Sequence, residues 1–202
     1  LTKDKRTRTL ILSIVFSSFG PFVTGYALFL NTATTQFADF LRRTVELGVL
    51  ILALWIYQVL KNNTNEQKKI RLGRQLYFFS GSVLIFSGVF LLLLFTRGIF
   101  NPSIPSGDVR LGLAVAGLGV FFNGYFFIRY TLFQKDSPHA VMDTQGKLYQ
   151  AKTFVDVNVV VALASVMLFE ASQTSYIIDQ AGTLIVALYL LLRGVLLIVK
   201  EP

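Results

Sequence analysis

Six stretches of this 202-residue chain are each long and apolar enough to cross a lipid bilayer, and that constrains its fold more than any motif it carries. A hydrocarbon core about 30 Å thick takes about 20 helical residues. The runs fall at roughly 9–31, 36–60, 75–97, 109–133, 148–169 and 176–199. Backbone N–H and C=O groups in lipid have no water to bond, so each run is expected to be a helix that satisfies them internally. A hydrophobic share of 53% with only 15% charged residues agrees, since globular chains carry fewer apolar and more charged residues. The expected fold is all-α, a six-transmembrane-helix bundle spanning residues 1–202 as one domain. The first run follows Lys3, Lys5, Arg6 and Arg8, as in a secretory signal, but it is too long for one and ends without a small-x-small cleavage pattern. It reads as a retained span. A cytoplasmic domain beyond Pro202 is left open.

Charge sets the orientation. The 19 Lys and Arg against 11 Asp and Glu give a net charge of +8. The cations gather on one side of the expected bundle: Lys3, Lys5, Arg6 and Arg8; Lys61, Lys68, Lys69, Arg71 and Arg74; Arg129, Lys135 and Lys147; and Lys200. The opposite connections hold only Arg97 and Arg110 around Asn101–Gly107, and no cation between Glu170 and Asp179. The positive-inside rule therefore puts both termini in the cytoplasm, with the plasma (inner) membrane as the expected location. Topology accounts for the basic charge, so no nucleic-acid partner is expected. The sequon Asn62-Asn63-Thr64 falls on the cytoplasmic side and reads as chance. Trp55 and the tyrosines suit lipid contact and interfacial anchoring. With no Cys and only His139, disulfides, thiol chemistry and histidine-dependent triads lack their residues. No phosphate-cradling glycine motif occurs, so the chain does not read as an enzyme, and no cofactor is expected. His139, beside Pro138 in a cytoplasmic loop, reads as solvated.

Small residues mark faces that pack, because lipid supplies no hydrophobic drive between helices. Ser13, Ser17, Gly20 and Thr24 form one stripe of the first span, with Pro21 beside it as an expected kink. Gly112, Ala116, Gly119 and Asn123 repeat that spacing in the fourth, and Gly81 and Gly88 lie two turns apart in the third. Asn123 needs a polar partner or a wet cavity at membrane depth.

Ionisable side chains within the spans are the strongest functional signal, because each costs roughly 2.5–3.5 kcal/mol at a helix centre. They are Asp39, Arg42, Arg43 and Glu46 in the second span and Lys152 and Asp156 in the fifth. Asp39, Arg42 and Glu46 share one helix face, as do Lys152 and Asp156. Arg43, about 100° from Arg42, is expected to snorkel to the outer headgroups. An antiparallel pairing of these spans sets Arg42 against Asp156 and Glu46 against Lys152. That register requires the fifth helix to begin near Gly146 or earlier.

At these residues the chain resembles the transmembrane domain of the cation diffusion facilitator (cation efflux) family, six-helix metal-ion/proton antiporters. Ala38-Asp39-Phe40-Leu41-Arg42-Arg43-Thr44-Val45-Glu46 resembles the family's second-helix motif, and Gly73-Arg74 its entry into helix three. Asn123 falls where many members carry Asn, Lys152-Thr153-Phe154-Val155-Asp156-Val157 resembles the helix-five motif, and Ile178-Asp179-Gln180-Ala181-Gly182 the start of helix six. The connection at Ser137-Pro138-His139 reads as longer than the family's usual one.

The resemblance implies a homodimer in the lipid bilayer that exchanges a divalent cation for protons, the cation being substrate rather than cofactor. The transport-site equivalents it implies are Arg42, Glu46, Lys152 and Asp156, with Asp39, Asn123 and Asp179 as supporting polar groups. In transporting members these four positions are Asp or His. Here two have become cations, and neither a guanidinium nor an ammonium offers a lone pair to a metal. Only Glu46 and Asp156 remain as candidate metal ligands. Two readings stay open: a cation transporter with an altered site, or a non-transporting relative whose site is replaced by Arg/Lys–carboxylate ion pairs and which acts as a structural or regulatory dimer.

Overall fold

A computed structural model describes residues 2–30, 34–61, 66–102, 110–169 and 172–199; within the helices it leaves the side chains at 2–4, 24–30, 34–42, 66, 110–112 and 115 outside the description. All six expected helices are present: α1 (Thr2–Leu30), α2 (Thr34–Lys61), α3 (Glu66–Phe100), α4 (Arg110–Asp136), α5 (Ala140–Leu168) and α6 (Gln173–Val199). No strand occurs among the described residues. Stretches of α2, α3, α5 and α6 are each long and apolar enough to cross a membrane. α1 continues through Pro21 as far as Leu30.

Three helix starts differ from the hydropathy reading for one reason, the first being α1, which begins at Thr2 rather than near 9. α3 starts at Glu66, so Lys68, Lys69, Arg71 and Arg74 lie on helix rather than in a loop, and α5 starts at Ala140 rather than near 148. Helical turns that project past the hydrocarbon need not be apolar, so a hydropathy window stops short of them. The α4–α5 connection is correspondingly only Ser137, Pro138 and His139, short rather than long. His139 ends it by capping α5: its backbone is extended (φ −156°, ψ 126°) and its Nδ1 accepts the Val141 N–H at 3.2 Å. The His139 N–H donates to Gln134 Oε1 at 2.9 Å, closing the turn.

The helices pack most extensively as α3 on α6 and α4 on α5, then α1 on α2; α5 also touches α2, α3 and α6, whereas α1 meets α4 only lightly. The α3–α6 contact is backbone on backbone. A methyl group added to Gly81 would lie 2.7 Å from the Gly194 carbonyl oxygen, and one added to Gly194 would lie 2.8 Å from that of Gly81. Gly88 meets Leu191 and the Ala187 carbonyl in the same way. Two apolar clusters fill the interior. One, around Leu10, Leu50, Leu76, Tyr130 and Tyr149, joins α1 to α5, and the other, around Val49, Leu84, Leu148 and Leu190, joins α2, α3, α5 and α6. Large apolar side chains such as Phe22, Trp55, Leu93 and Leu192 point outward, as the lipid-facing surface of a membrane protein requires.

At the end where α1 begins and α4 stops, Arg6 is buried and donates through Nη2 to the carbonyls of Phe133 (3.0 Å) and Ser137 (2.9 Å). A cation on the last carbonyls of a helix satisfies acceptors with no partner inside the helix and complements the helix dipole. Arg6 thus does structural work besides any role in orientation.

Candidate functional site

The small-residue stripe of α1 faces the bundle. Ser13 Oγ shares a hydrogen bond with Tyr130 Oη at 2.8 Å, and Ser17 Oγ shares one with Tyr149 Oη at 3.0 Å. The two tyrosine rings, from α4 and α5, stack with centroids 5.5 Å apart. Ser17 also lines a cavity of about 420 Å³ between α1, α2, α4 and α5.

The wall groups of this cavity include Arg43, Glu46, Asn123, Lys152 and Asp156. Lys152 Nζ lies 3.3 Å from Glu46 Oε2, with both side chains close to nine-tenths buried. The early start of α5 at Ala140 supplies the register that lets Lys152 reach Glu46. One turn further along α5, Asp156 Oδ2 accepts a hydrogen bond from Asn123 Nδ2 at 2.6 Å. Gly119 makes room for it, since a methyl group there would lie 2.7 Å from Asp156 Oδ2. At Gly119, then, the α4 stripe of small residues leaves the recess that receives the Asp156 carboxylate.

Arg43 corrects the sequence reading. It lines the cavity instead of reaching outward, and a methyl group added to Gly20 would lie 3.2 Å from its Nη1 and 3.3 Å from its Cδ. The gap left by Gly20 in α1 holds a long side chain from α2, and that signal was present in the stripe. The side chains of Asp39 and Arg42 lie outside the described residues, so the expected Arg42–Asp156 contact does too. Asp179 stands on α6, apart from the described cavity lining and next to Gln180, whose amide packs on Gly98 of α3. His139 is also corrected: its ring packs on Tyr57 (centroids 5.1 Å apart) rather than standing in solvent. Burial first, then the positive charges of Arg6 and Lys69, lower its imidazole pKa to about 4.

Chemically, the described cavity offers two carboxylates, one amide and the α1 hydroxyl Ser17 as oxygen acceptors, faced by two side-chain cations. Among the described residues no group of three or more His, Cys, Asp or Glu side chains converges as a metal site would require. A family model described as the cation efflux transmembrane domain matches residues 10–201, nearly the whole chain. The chain belongs to the cation efflux transmembrane domain family. No curated protein matches the chain significantly. As a cation efflux domain it is an integral membrane protein of a family of cation transporters rather than enzymes. Within this cation efflux fold the sequence reading missed Arg43 as a cavity residue, together with the aromatic wall of Phe16, Phe122 and Phe126.

Proposed function

We propose that this cation efflux domain carries its cation through the cavity between α1, α2, α4 and α5 in exchange for protons, with Glu46 and Asp156 as the acceptors and Lys152 as a resident counter-cation. The observation that carries this reading is the Lys152–Glu46 ion pair, 3.3 Å long, on the wall of a cavity that also holds Asp156. Arg43 and Lys152 balance Glu46 and Asp156, so the described wall is neutral without a substrate. An arriving cation can engage Glu46 only if the Lys152 ammonium swings aside. Each carboxylate of the wall can hold either a cation or a proton, so exchange of one for the other at Glu46 and Asp156 is the antiport step. Arg43 keeps its charge throughout and holds the remaining carboxylate charge in balance.

The clustering of Arg6, Lys61, Lys69 and Lys147 at one end of the bundle supports cytoplasmic termini in an inner membrane. By family analogy the working unit is a homodimer.

The test is uptake into liposomes of the purified protein under an imposed proton gradient, with Zn²⁺, Mn²⁺ and Co²⁺ as probes. Gradient-driven flux of at least one probe is expected, abolished in the double variant Glu46→Gln, Asp156→Asn and changed in rate by Lys152→Ala, which removes the competing ammonium. The same ion pair also supports the second reading, a locked, non-transporting relative. Absence of flux for every probe from folded protein selects that reading.

A further inference from the structure

Resting on the cavity as the transport site, we propose that Gln145 is a second station on the cation's path, a buried amide that takes water and the hydrated cation when the Tyr130–Tyr149 pair parts. The amide itself is the first argument. Gln145 is fully buried, and neither its Oε1 nor its Nε2 has a hydrogen-bond partner. Among the described residues no other side chain leaves both a donor and an acceptor orphaned in this way. Ser80 and Ser87 on α3 are also buried with an unpartnered hydroxyl, but a helical serine meets that need by turning to a carbonyl of the preceding turn. A glutamine carries two donor hydrogens and an acceptor with two lone pairs, more than its own helix satisfies. Leaving them bare at membrane depth is costly, so the amide is explained by what comes to it.

Its position is the second argument. Gln145 precedes Lys152 by seven residues, so it lies on nearly the same face of α5, two turns or about 10 Å toward the end of the bundle where α1 begins. The same interval along α2, counted from the Glu46 that meets Lys152, puts the small, fully buried Ala53 level with Gln145. Tyr57, one turn beyond Ala53, meets the His139 ring at the foot of α5, which agrees with that register. Gln145 is also one turn from both Val141 and Tyr149, members of the apolar cluster shared by α1 to α5. The amide thus stands in an otherwise apolar layer, between the cavity and the end of the bundle that is cytoplasmic in the transport reading.

What separates it from the cavity is a pair of tyrosines. Tyr149 lies between Gln145 and Lys152 on α5, its ring centroid 5.1 Å from the Lys152 ammonium and 5.5 Å from that of Tyr130. Both tyrosines are fully buried, and two serines of α1 fasten them. Ser13 Oγ donates to the Leu10 carbonyl at 2.8 Å, so in its bond with Tyr130 it is the acceptor. Tyr149 Oη donates to the Ser13 carbonyl at 3.3 Å and so accepts from Ser17 Oγ. Each hydroxyl hydrogen of the four side chains is thereby assigned, and α1 is their shared anchor. The α4–α5 packing that holds the rings against each other is extensive, whereas α1 meets α4 only lightly. Movement of α1 therefore frees the hydroxyls without unpacking α4 from α5, and Gln145 becomes continuous with the cavity.

The chain has no cysteine, so Gln145→Cys and, as a control, Leu148→Cys each carry a single thiol. Leu148 is equally buried on the same helix but belongs to the other apolar cluster. The whole chain in liposomes is treated with a small cationic methanethiosulfonate, and thermal unfolding and flux of Zn²⁺, Mn²⁺ and Co²⁺ under a proton gradient are followed alongside. Labelling at 145 is expected to be at least tenfold faster than at 148, and severalfold faster again when Ser13→Ala and Ser17→Ala are added. Gln145→Leu, which keeps the bulk but removes the amide, is expected to hold its unfolding temperature while flux falls at least tenfold. Three results overturn the station and leave the role of the cavity standing: labelling at 145 no faster than at 148, wild-type flux in Gln145→Leu, or a loss of flux that only follows a fall in its unfolding temperature. No flux of any cation from folded wild-type protein overturns both.

Discussion

Removing one member of the Lys152–Glu46 pair should cost far more than removing both. At 3.3 Å, Coulomb's law with an effective dielectric constant near 20 gives a gross attraction of about 5 kcal/mol. Much of this offsets the cost of holding two charges out of water, so the pair as a whole contributes little net stability. Taking away one partner is different, because the other stays buried with its desolvation uncompensated. Losses for such single removals are about 3–5 kcal/mol in soluble proteins. Here the lower end is expected, because the same cavity is lined by Arg43, a partner for a leftover Glu46, and by Asp156, a partner for a leftover Lys152, and the membrane-unfolded chain also finds partners for its polar groups.

Lys152→Met and Glu46→Leu should therefore each destabilise the bundle by about 3 kcal/mol, and the double variant by about 1 kcal/mol or less. The assay is unfolding by SDS in mixed micelles, followed by circular dichroism, for all four members of the cycle. If the double variant loses the sum of the single losses to within about 0.5 kcal/mol, the two groups do not interact, and the pairing argument fails.

Three further perturbations test other parts of the structure. Gly119→Ala places a methyl group 2.7 Å from Asp156 Oδ2, so it should break the Asn123–Asp156 bond and reduce liposome flux at least tenfold while costing about 1–3 kcal/mol in the same unfolding assay. Unchanged flux would remove Asp156 from the site. Gly81→Val drives a branched side chain into the Gly194 carbonyl and should destabilise by about 3 kcal/mol or more, whereas Gly48→Ala, with open space around it, should cost at most about 0.5 kcal/mol. His139 is neutral in the fold because its pKa falls to about 4 from 6.5, so the folded state binds fewer protons than the unfolded one. Its contribution is complete above pH 6.5 and fades as the pH drops towards 4. After discounting for solvent it amounts to about 1–2 kcal/mol. His139→Asn keeps a capping side chain without that titration, so its stability should fall less steeply than wild type between pH 6.5 and 4.

Much of this arrangement is written in spacing. The α1 stripe predicts an inward face because serine and glycine recur at helical intervals, and the same logic finds Gly81 and Gly88 on the α3 face that meets α6. The Glu46–Lys152 contact follows from charge sign and antiparallel direction, given an early start to α5. Arg43 could not be placed in that way. Spacing gives only an angle around the helix, and whether Arg43 turns inward depends on the recess that a neighbour provides, here Gly20. His139 was illegible for another reason. Histidine is not among the favoured capping residues, so only the folded backbone shows its ring accepting the Val141 N–H. The Phe16–Phe122 stack joins residues distant in sequence, and phenylalanines that face lipid look the same as phenylalanines that line a cavity.

The placement of the cavity follows from where backbones can and cannot approach. Between α3 and α6, reciprocal contacts of Gly81 and Gly194 bring main chain against main chain and leave no volume for a side chain, let alone a ligand. Between α1 and α4 the Phe16 and Phe122 rings stack and the helices touch only lightly, so the cavity lies beside the stacked rings, toward α2 and α5. The charged residues of α2 and α5 then have somewhere to point that is neither lipid nor packed core. Glu46 and Lys152 meet at the inner wall of that space, and Asp156 is drawn to the Asn123 side of it by the recess at Gly119. Phe19, Val23 and Leu118, each more than half exposed, border that space where it meets the apolar surface of the bundle, on the side where rings rather than glycines separate the helices.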